Sequence, residues 1–300
     1  MLGEITMEKK GFIESSVELF KSRKEIVFGV TWTATLATII AGKGLPPLTP
    51  SFLSIMAIMM LNLSVYIYND YIDRDMDAYS EQDKKKGRPI ANGNVSETNA
   101  MRFIYITGIL GLITCLILGQ FVFIIGSTYY LLLVLYSYPL VRFKTIYVVK
   151  NLITSLVLPA AFLISGSAIE NEISIRTSFL AFAYFVLSFA LLPAIADMLD
   201  YEEDLAFNVK TLGNTLSWKN NLIIFNIGVL VIIASGVVSY LLFNISYFVP
   251  IILSVFGIPV MVYSFKLRNE NGLTASYKLR PVGYALVMLT PLLLALGAVF

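Results

Sequence analysis

The chain has 300 residues, 57% of them apolar and 14% charged, where an average soluble domain has roughly 25% charged residues. That balance excludes an ordinary soluble enzyme, and the small net charge of +2 gives no reason to expect a nucleic-acid partner. Histidine is absent, which removes His-based catalytic dyads and most zinc and haem sites; the single cysteine, Cys115, lies in an apolar run and has no intrachain disulfide partner.

Residues 4–24 read as a helix with Phe12, Ile13, Val17, Leu19 and Phe20 set among Lys and Glu. Residues 1–25 are therefore expected to lie as an amphipathic helix on the inner membrane surface. They lack the apolar run of a cleavable signal peptide, so the first span is expected to direct insertion. Seven stretches then contain no Asp, Glu, Lys or Arg: 26–42, 44–69, 103–141, 151–169, 177–196, 220–265 and 281–300. All 22 basic and 20 acidic residues lie outside them. A helix needs about 20 mostly apolar residues to cross a bilayer. The third stretch breaks near Gly119 and Gln120 and the sixth near Asn244, which gives nine spans. Pro46, Pro47 and Pro50 mark the turn between the first two.

With the N-terminus inside, the inner segments 1–25, 70–102, 142–150, 198–219 and 266–280 carry 20 Lys and Arg, and the outer ones carry only Lys43 and Arg176. This positive-inside bias sets the expected topology. The expected fold is an all-α integral membrane protein of the cell membrane, one domain over 1–300, with two long inner segments, 70–100 and 198–219.

The acid concentrates where two spans reach that side. The first cluster reads Asn69-Asp70-Tyr71-Ile72-Asp73-Arg74-Asp75-Met76-Asp77; the second runs from Asp197 through Asp200 to Asp204. Both have carboxylates at i, i+3 and i+7, a spacing that puts all three on one helix face. Three like charges on one face repel one another unless something neutralises them. Mg²⁺ is the expected partner, because it takes oxygen ligands from one or two carboxylates and completes its shell with water and phosphate. The offset of four spans brings both clusters to the same side. Asp75, off the shared face, is expected to be solvated.

Basic and aromatic residues accompany the acid. Arg88, held by Pro89 and Gly93, together with Lys86, Lys144 and Lys210, is suited to bind a diphosphate. Lys84, Lys85 and Lys86 also serve as an orienting charge run. Tyr68, Tyr136 and Tyr138, near inner span ends, are placed to face a cation through their rings. Carboxylates in a membrane protein also suit a cation-coupled transporter, although transport sites lie nearer the midplane. A non-catalytic scaffold is the third alternative.

The run Asn69-Asp70-x-x-Asp73-x-x-x-Asp77, followed by Arg88-Pro89-Ile90 and Gly93, resembles the first signature of the UbiA superfamily of intramembrane aromatic and lipid prenyltransferases, in an archaeal-like form. Asp197-x-x-Asp200-x-x-x-Asp204 with Lys210-Thr211-Leu212 resembles the second. Tyr136 to Lys144, with Asn151, resembles the segment between them. The resemblance implies nine helices around a central cavity, a cap on the cytoplasmic side formed by the loops 70–100 and 198–219, and Mg²⁺ held by Asn69, Asp70, Asp73 and Asp77 on one side and by Asp197, Asp200 and Asp204 on the other. It makes Asp73, Asp77, Asp200 and Asp204 the candidate catalytic carboxylates. Arg88, Lys144, Lys210 and Lys86 would hold the diphosphate, and Tyr136, Tyr138, Asn151 and Tyr68 would line the cavity. It implies transfer of a prenyl group from a polyprenyl diphosphate to a lipophilic acceptor, a quinone-precursor aromatic or a glycerol-phosphate ether lipid, with no obligate protein partner. For an anionic acceptor, Lys86 or Arg74 would supply the extra cation. The chain departs from the family at Glu203 and Asn208, where Gly is usual, and at Leu192-Pro193-Ala194-Ile195, where archaeal lipid-forming members often have an Arg-Glu pair.

Overall fold

A computed structural model describes residues 10–79, 87–206 and 209–300. Among them the regular elements are helical. They are α1 (Phe12–Ser22), α2 (Lys24–Ala41), α3 (Leu48–Tyr79), α4 (Glu97–Ile117), α5 (Gln120–Ser137), α6 (Val149–Thr154), α7 (Val157–Glu170), α8 (Ile175–Ala194), α9 (Ala196–Leu199), α10 (Tyr201–Ala206), α11 (Leu212–Thr215), α12 (Trp218–Phe243), α13 (Phe248–Lys266) and α14 (Gly272–Val299), with short 3₁₀ turns at Phe143–Thr145 and Leu267–Asn269. Nine helical stretches among the described residues are long and apolar enough to cross a membrane. The fifth joins α6 to α7 and the sixth joins α8 to α9.

The expected breaks have simple causes. Gly119 takes φ +120° between α4 and α5, and Asn244 ends α12 in the left-handed conformation at φ 55°, which Gly and Asn adopt at least cost. Ser96, Ser174, Ser217 and Asn271 each accept a backbone N–H at a helix start, so the termini of four helices are satisfied locally.

α2 is shared between two packing units. Its Val30 and Ala34 join a core with α3, α5 and α7, and its Leu36, Ala37 and Ile40 join a second with α8, α12, α13 and α14. Between spans, small residues allow close approach. A Cβ on Gly126 of α5 would fall 2.6 Å from the Cys115 sulfur of α4, so Cys115 is a packing residue. Polar cross-links add to this: Tyr129 donates to Asn62 at 2.8 Å, and Asn226 Nδ2 donates to Ser264 at 2.8 Å.

The N-terminal helix differs from the expected 4–24. It begins at Phe12 in the described residues and stops at Ser22, because Arg23 leaves helical geometry with ψ 15° before α2 starts. Residues 4–9 lie outside the described residues. Ser15 and Leu19 are buried, and Asn99 of α4 donates to Ser15 at 3.0 Å; Ile13, Val17 and Phe20 face outward. That outward apolar stripe is the face an interfacial helix buries in lipid.

Candidate active site

α3 carries the first acidic cluster well past its apolar portion. It continues to Tyr79, so the expected cap loop 70–100 begins as helix. Asp70, Asp73 and Asp77 share one face, as the spacing predicts, and Asp75 is solvated. Asp70 and Asp77 are buried. Ionised carboxylates tolerate burial only when paired, and each has a cation. Arg23 grips Asp70 with two nitrogens, one at 2.8 Å. Arg88 Nη1 lies 2.5 Å from Asp77 and 3.1 Å from Asp70. Lys144 donates to Asp73, whose Oδ2 also accepts from Asn69 at 2.9 Å. Arg142 stands 4.0 Å from Asp73.

The turn that aims Arg88 is the expected one. Val95 N donates to the Pro89 carbonyl at 2.8 Å, Gly93 sits at φ +78°, and Ile90 and Val95 are buried against α1, α3 and α4. Burial, with Arg88 nearby, lowers the Arg23 pKa to about 10. Burial also lowers Lys144, against the opposing pull of Asp73.

The second cluster is built differently from the expected single face. α8 contains Pro193 and ends at Ala194; Asp197 lies in α9, Asp200 caps it, and Asp204 lies in α10. The region expected as cap loop 198–219 is therefore a run of short helices. Proline cannot donate a backbone hydrogen bond and its ring crowds the preceding turn; the chain turns in the residues just after it. Asp197 is 2% exposed. Its Oδ2 accepts from Asn151 Nδ2 at 2.8 Å and from Gly213 N at 3.2 Å. Lys150 lies 3.0 Å from Asp204 and 3.5 Å from Asp197. Burial raises the Asp204 carboxyl to about 6, outweighing Lys150. Among the described residues no three carboxylates converge closely enough to enclose an ion unaided.

One short segment connects the two clusters. From a 3₁₀ turn, Lys144 reaches Asp73; six residues later, Lys150 and Asn151 at the start of α6 reach Asp204 and Asp197. Tyr136, at the end of α5, lies within electrostatic reach of Asp73, Asp197 and Asp204. Tyr68 packs against the core around α1, α3 and α4, and Tyr138, 40% exposed, caps the end of α5.

Among the described residues, Lys210 and Arg74 make no ion pair with either carboxylate triad. Lys210 is exposed and makes no ion pair with a described residue; it precedes Thr211, whose reciprocal hydrogen bonds with Asn214 start α11. Lys86 lies outside the described residues. Arg74 is engaged by Glu97 at 3.0 Å and by the Tyr71 carbonyl. The sequence does not single out Lys150, and it assigns Arg23 first to the amphipathic segment 1–25, with substrate contact as the lesser alternative. The available signals were their positions, one at the junction of the amphipathic helix with the first span and one beside Asn151.

A sequence model of the UbiA prenyltransferase family matches residues 30–297. The 4-hydroxybenzoate octaprenyltransferase of Vesicomyosocius okutanii is 25% identical over 66% of this chain and 70% of its own length. Two octaprenyltransferases from Shewanella species align over 36% and 60% of theirs. The digeranylgeranylglyceryl phosphate synthase of Pyrococcus horikoshii is 27% identical over 76% of this chain and 77% of its own length. Among solved structures, one concerning digeranylgeranylglyceryl phosphate synthase in membranes superposes with TM-score 0.78, covering 96% of this chain and 99% of its own at 18% identity. A UbiA homologue from Archaeoglobus fulgidus bound to DMAPP and Mg²⁺ superposes with TM-score 0.69, covering 94% and 99% at 18% identity.

Proposed function

The chain belongs to the UbiA prenyltransferase family, and from that premise we propose that it transfers a prenyl group from a polyprenyl diphosphate to a lipophilic acceptor, aromatic or glycerol-phosphate in type, with release of diphosphate. The observation that carries this reading is the segment 144–151, which ties one acidic cluster to the other through Lys144, Lys150 and Asn151. Two cations six residues apart, Lys144 and Lys150, thereby each hold a carboxylate of a different cluster, which supports a single site formed by both.

The donor set suits Mg²⁺. It is all hard oxygen, and Mg²⁺ is commonly held by one or two carboxylates with the remaining positions filled by water and phosphate. Asp70, Asp73 and Asp77, with Asn69, would hold it on one side, and Asp197, Asp200 and Asp204 on the other. Bound there, Mg²⁺ supplies positive charge to the leaving diphosphate. Arg23, Arg88 and Lys144 are buried or half-buried cations placed to take over diphosphate oxygens, where Arg binds in a planar fork and Lys as a point charge. The Tyr136 ring offers its negative face to positive charge developing on the allylic carbon. Apolar walls from the spans exclude water, which would capture that carbon. The basic bias of the segments on this side supports a site on the cytoplasmic face of the cell membrane. A cation-coupled transporter gains no support, because the carboxylates sit towards the ends of their spans rather than near the middle.

The test is turnover of geranylgeranyl diphosphate by the detergent-purified protein with aromatic and glycerol-phosphate acceptors. A product that appears with Mg²⁺ and vanishes with EDTA is expected; no product together with no Mg²⁺-dependent binding of the donor contradicts the reading. The pH dependence has a defined sign. Metal binding requires carboxylates, so protons compete with it. With Asp204 at about 6, Mg²⁺ affinity is expected to be full above that pH and to fall as pH drops through it, by about tenfold per unit for one proton displaced. Isothermal titration between pH 5 and 8 measures this; a flat profile contradicts it.

A further inference from the structure

Lys150 stands at the point where the two ends of the second acidic cluster meet. Its Nζ is 3.0 Å from Asp204 Oδ2 and 3.5 Å from Asp197 Oδ1. The three side chains are only 15%, 13% and 3% exposed. Asp197 Oδ2 is already committed, to Asn151 Nδ2 and to the Gly213 amide. Two donors use both lone-pair directions of a carboxylate oxygen. Oδ1 is thus the oxygen through which Asp197 can take a further partner, and Lys150 is the group that faces it.

The backbone enforces this placement. Val148, just before α6, is held at φ 67°, ψ −40°. A β-branched residue there is strained, and such strain persists only where the surroundings require it. The strained turn starts α6 so that Lys150 and Asn151 reach the same carboxylate.

An ammonium group and a divalent cation are drawn to the same carboxylate oxygens and cannot share one position. We propose that Lys150 is an internal counter-ion that occupies the cation position between Asp197 and Asp204 and must withdraw before a divalent cation bridges them. It thereby sets the Mg²⁺ concentration at which the second cluster loads. Without metal, the ammonium relieves repulsion between the two carboxylates. When diphosphate arrives, it offers the ammonium another anion, which releases Asp197 Oδ1 and Asp204. Loading of the second cluster is therefore coupled to diphosphate. This rests on the reading of Asp197 and Asp204 as metal ligands.

The test is Mn²⁺ binding to the full chain in detergent, followed by the EPR signal of free Mn²⁺, with and without inorganic diphosphate. Lys150→Met keeps the apolar stem and removes the charge. It is expected to tighten Mn²⁺ binding without diphosphate by about tenfold and to shrink the enhancement that diphosphate gives; Lys150→Arg retains wild-type behaviour. Unchanged or weaker Mn²⁺ binding by Lys150→Met overturns the proposal, since a merely structural ion pair would lower thermal stability without tightening metal binding. If Lys150→Met does not fold, Lys150→Gln is read by the same criteria. Asp197→Asn/Asp204→Asn separates the two readings. Fewer Mn²⁺ ions bound by that double variant than by the wild type, with no change in Lys150→Met, overturns the counter-ion alone; equal Mn²⁺ binding by the double variant overturns the metal reading of the second cluster and this proposal with it. Absence of Mn²⁺ binding by the wild type overturns the metal reading and this proposal with it.

Discussion

Asp73→Asn is expected to lower the rate of prenyl transfer by about 10³-fold at saturating Mg²⁺, the scale of loss when a group that stabilises developing charge is removed. Asp73 is the first-cluster carboxylate that faces the segment leading to the second. It bonds Lys144 and Asn69 and has Arg142 4.0 Å away. Asparagine keeps the shape and one acceptor but cannot anchor a cation or offset Lys144. The fold is expected to persist with a stability loss of about 1–2 kcal/mol, because α3 is fixed by its packing against α4 and by its buried apolar face rather than by this pair. Turnover and thermal midpoint measured on the same preparation separate the two effects. Activity within tenfold of wild type contradicts the assignment.

Gly213→Ala is expected to damage both the fold and the site. A Cβ at this position would lie 2.3 Å from the Asp197 Cβ and 2.9 Å from the Pro193 carbonyl oxygen. Neither neighbour is the end of a flexible side chain, so α9 or α11 must shift. Forcing extra volume into such a contact costs about 1–3 kcal/mol. The shift also takes the Gly213 amide from Asp197 and disturbs the Asn221 side chain that donates to the Gly213 carbonyl at 3.1 Å. Misplacing a site carboxylate by about 1 Å costs about 10²-fold in rate. The variant is therefore expected to lose both thermal stability and turnover, whereas a wild-type melting midpoint would mean that the loop does not press on Asp197.

The membrane architecture was legible because bilayer solvation imposes it on composition: charge-free runs of sufficient length admit one reading. Gly119 and Asn244 marked the breaks inside the two long runs because each adopts positive φ readily. The first cluster was legible because α3 continues unbroken to Tyr79 and preserves the i, i+3, i+7 face. The second had the same spacing but lost the face at Ile195, where the helix turns just after Pro193. Pro193 was visible in the sequence, but a proline near the end of a span does not specify the direction of the chain beyond it. Arg23 was obscured because its partner Asp70 is 47 residues away and the kink after α1 decides which way it points. Lys150 depends on the left-handed Val148, a conformation that a valine gives no local reason to expect. Lys210 matches a motif position and stands exposed beside Thr211, which caps α11.

A structure of the protein with Mn²⁺ and a non-hydrolysable prenyl thiodiphosphate, with the metal located by its anomalous scattering, decides whether the two acidic clusters hold divalent cations and a diphosphate between them. The expected result is metal within about 2.0–2.3 Å of oxygens from both clusters, the diphosphate between them, and Arg88 and Lys144 turned from Asp77 and Asp73 to phosphate oxygens. Metal density elsewhere, or a diphosphate bound without contact to either cluster, would contradict the account.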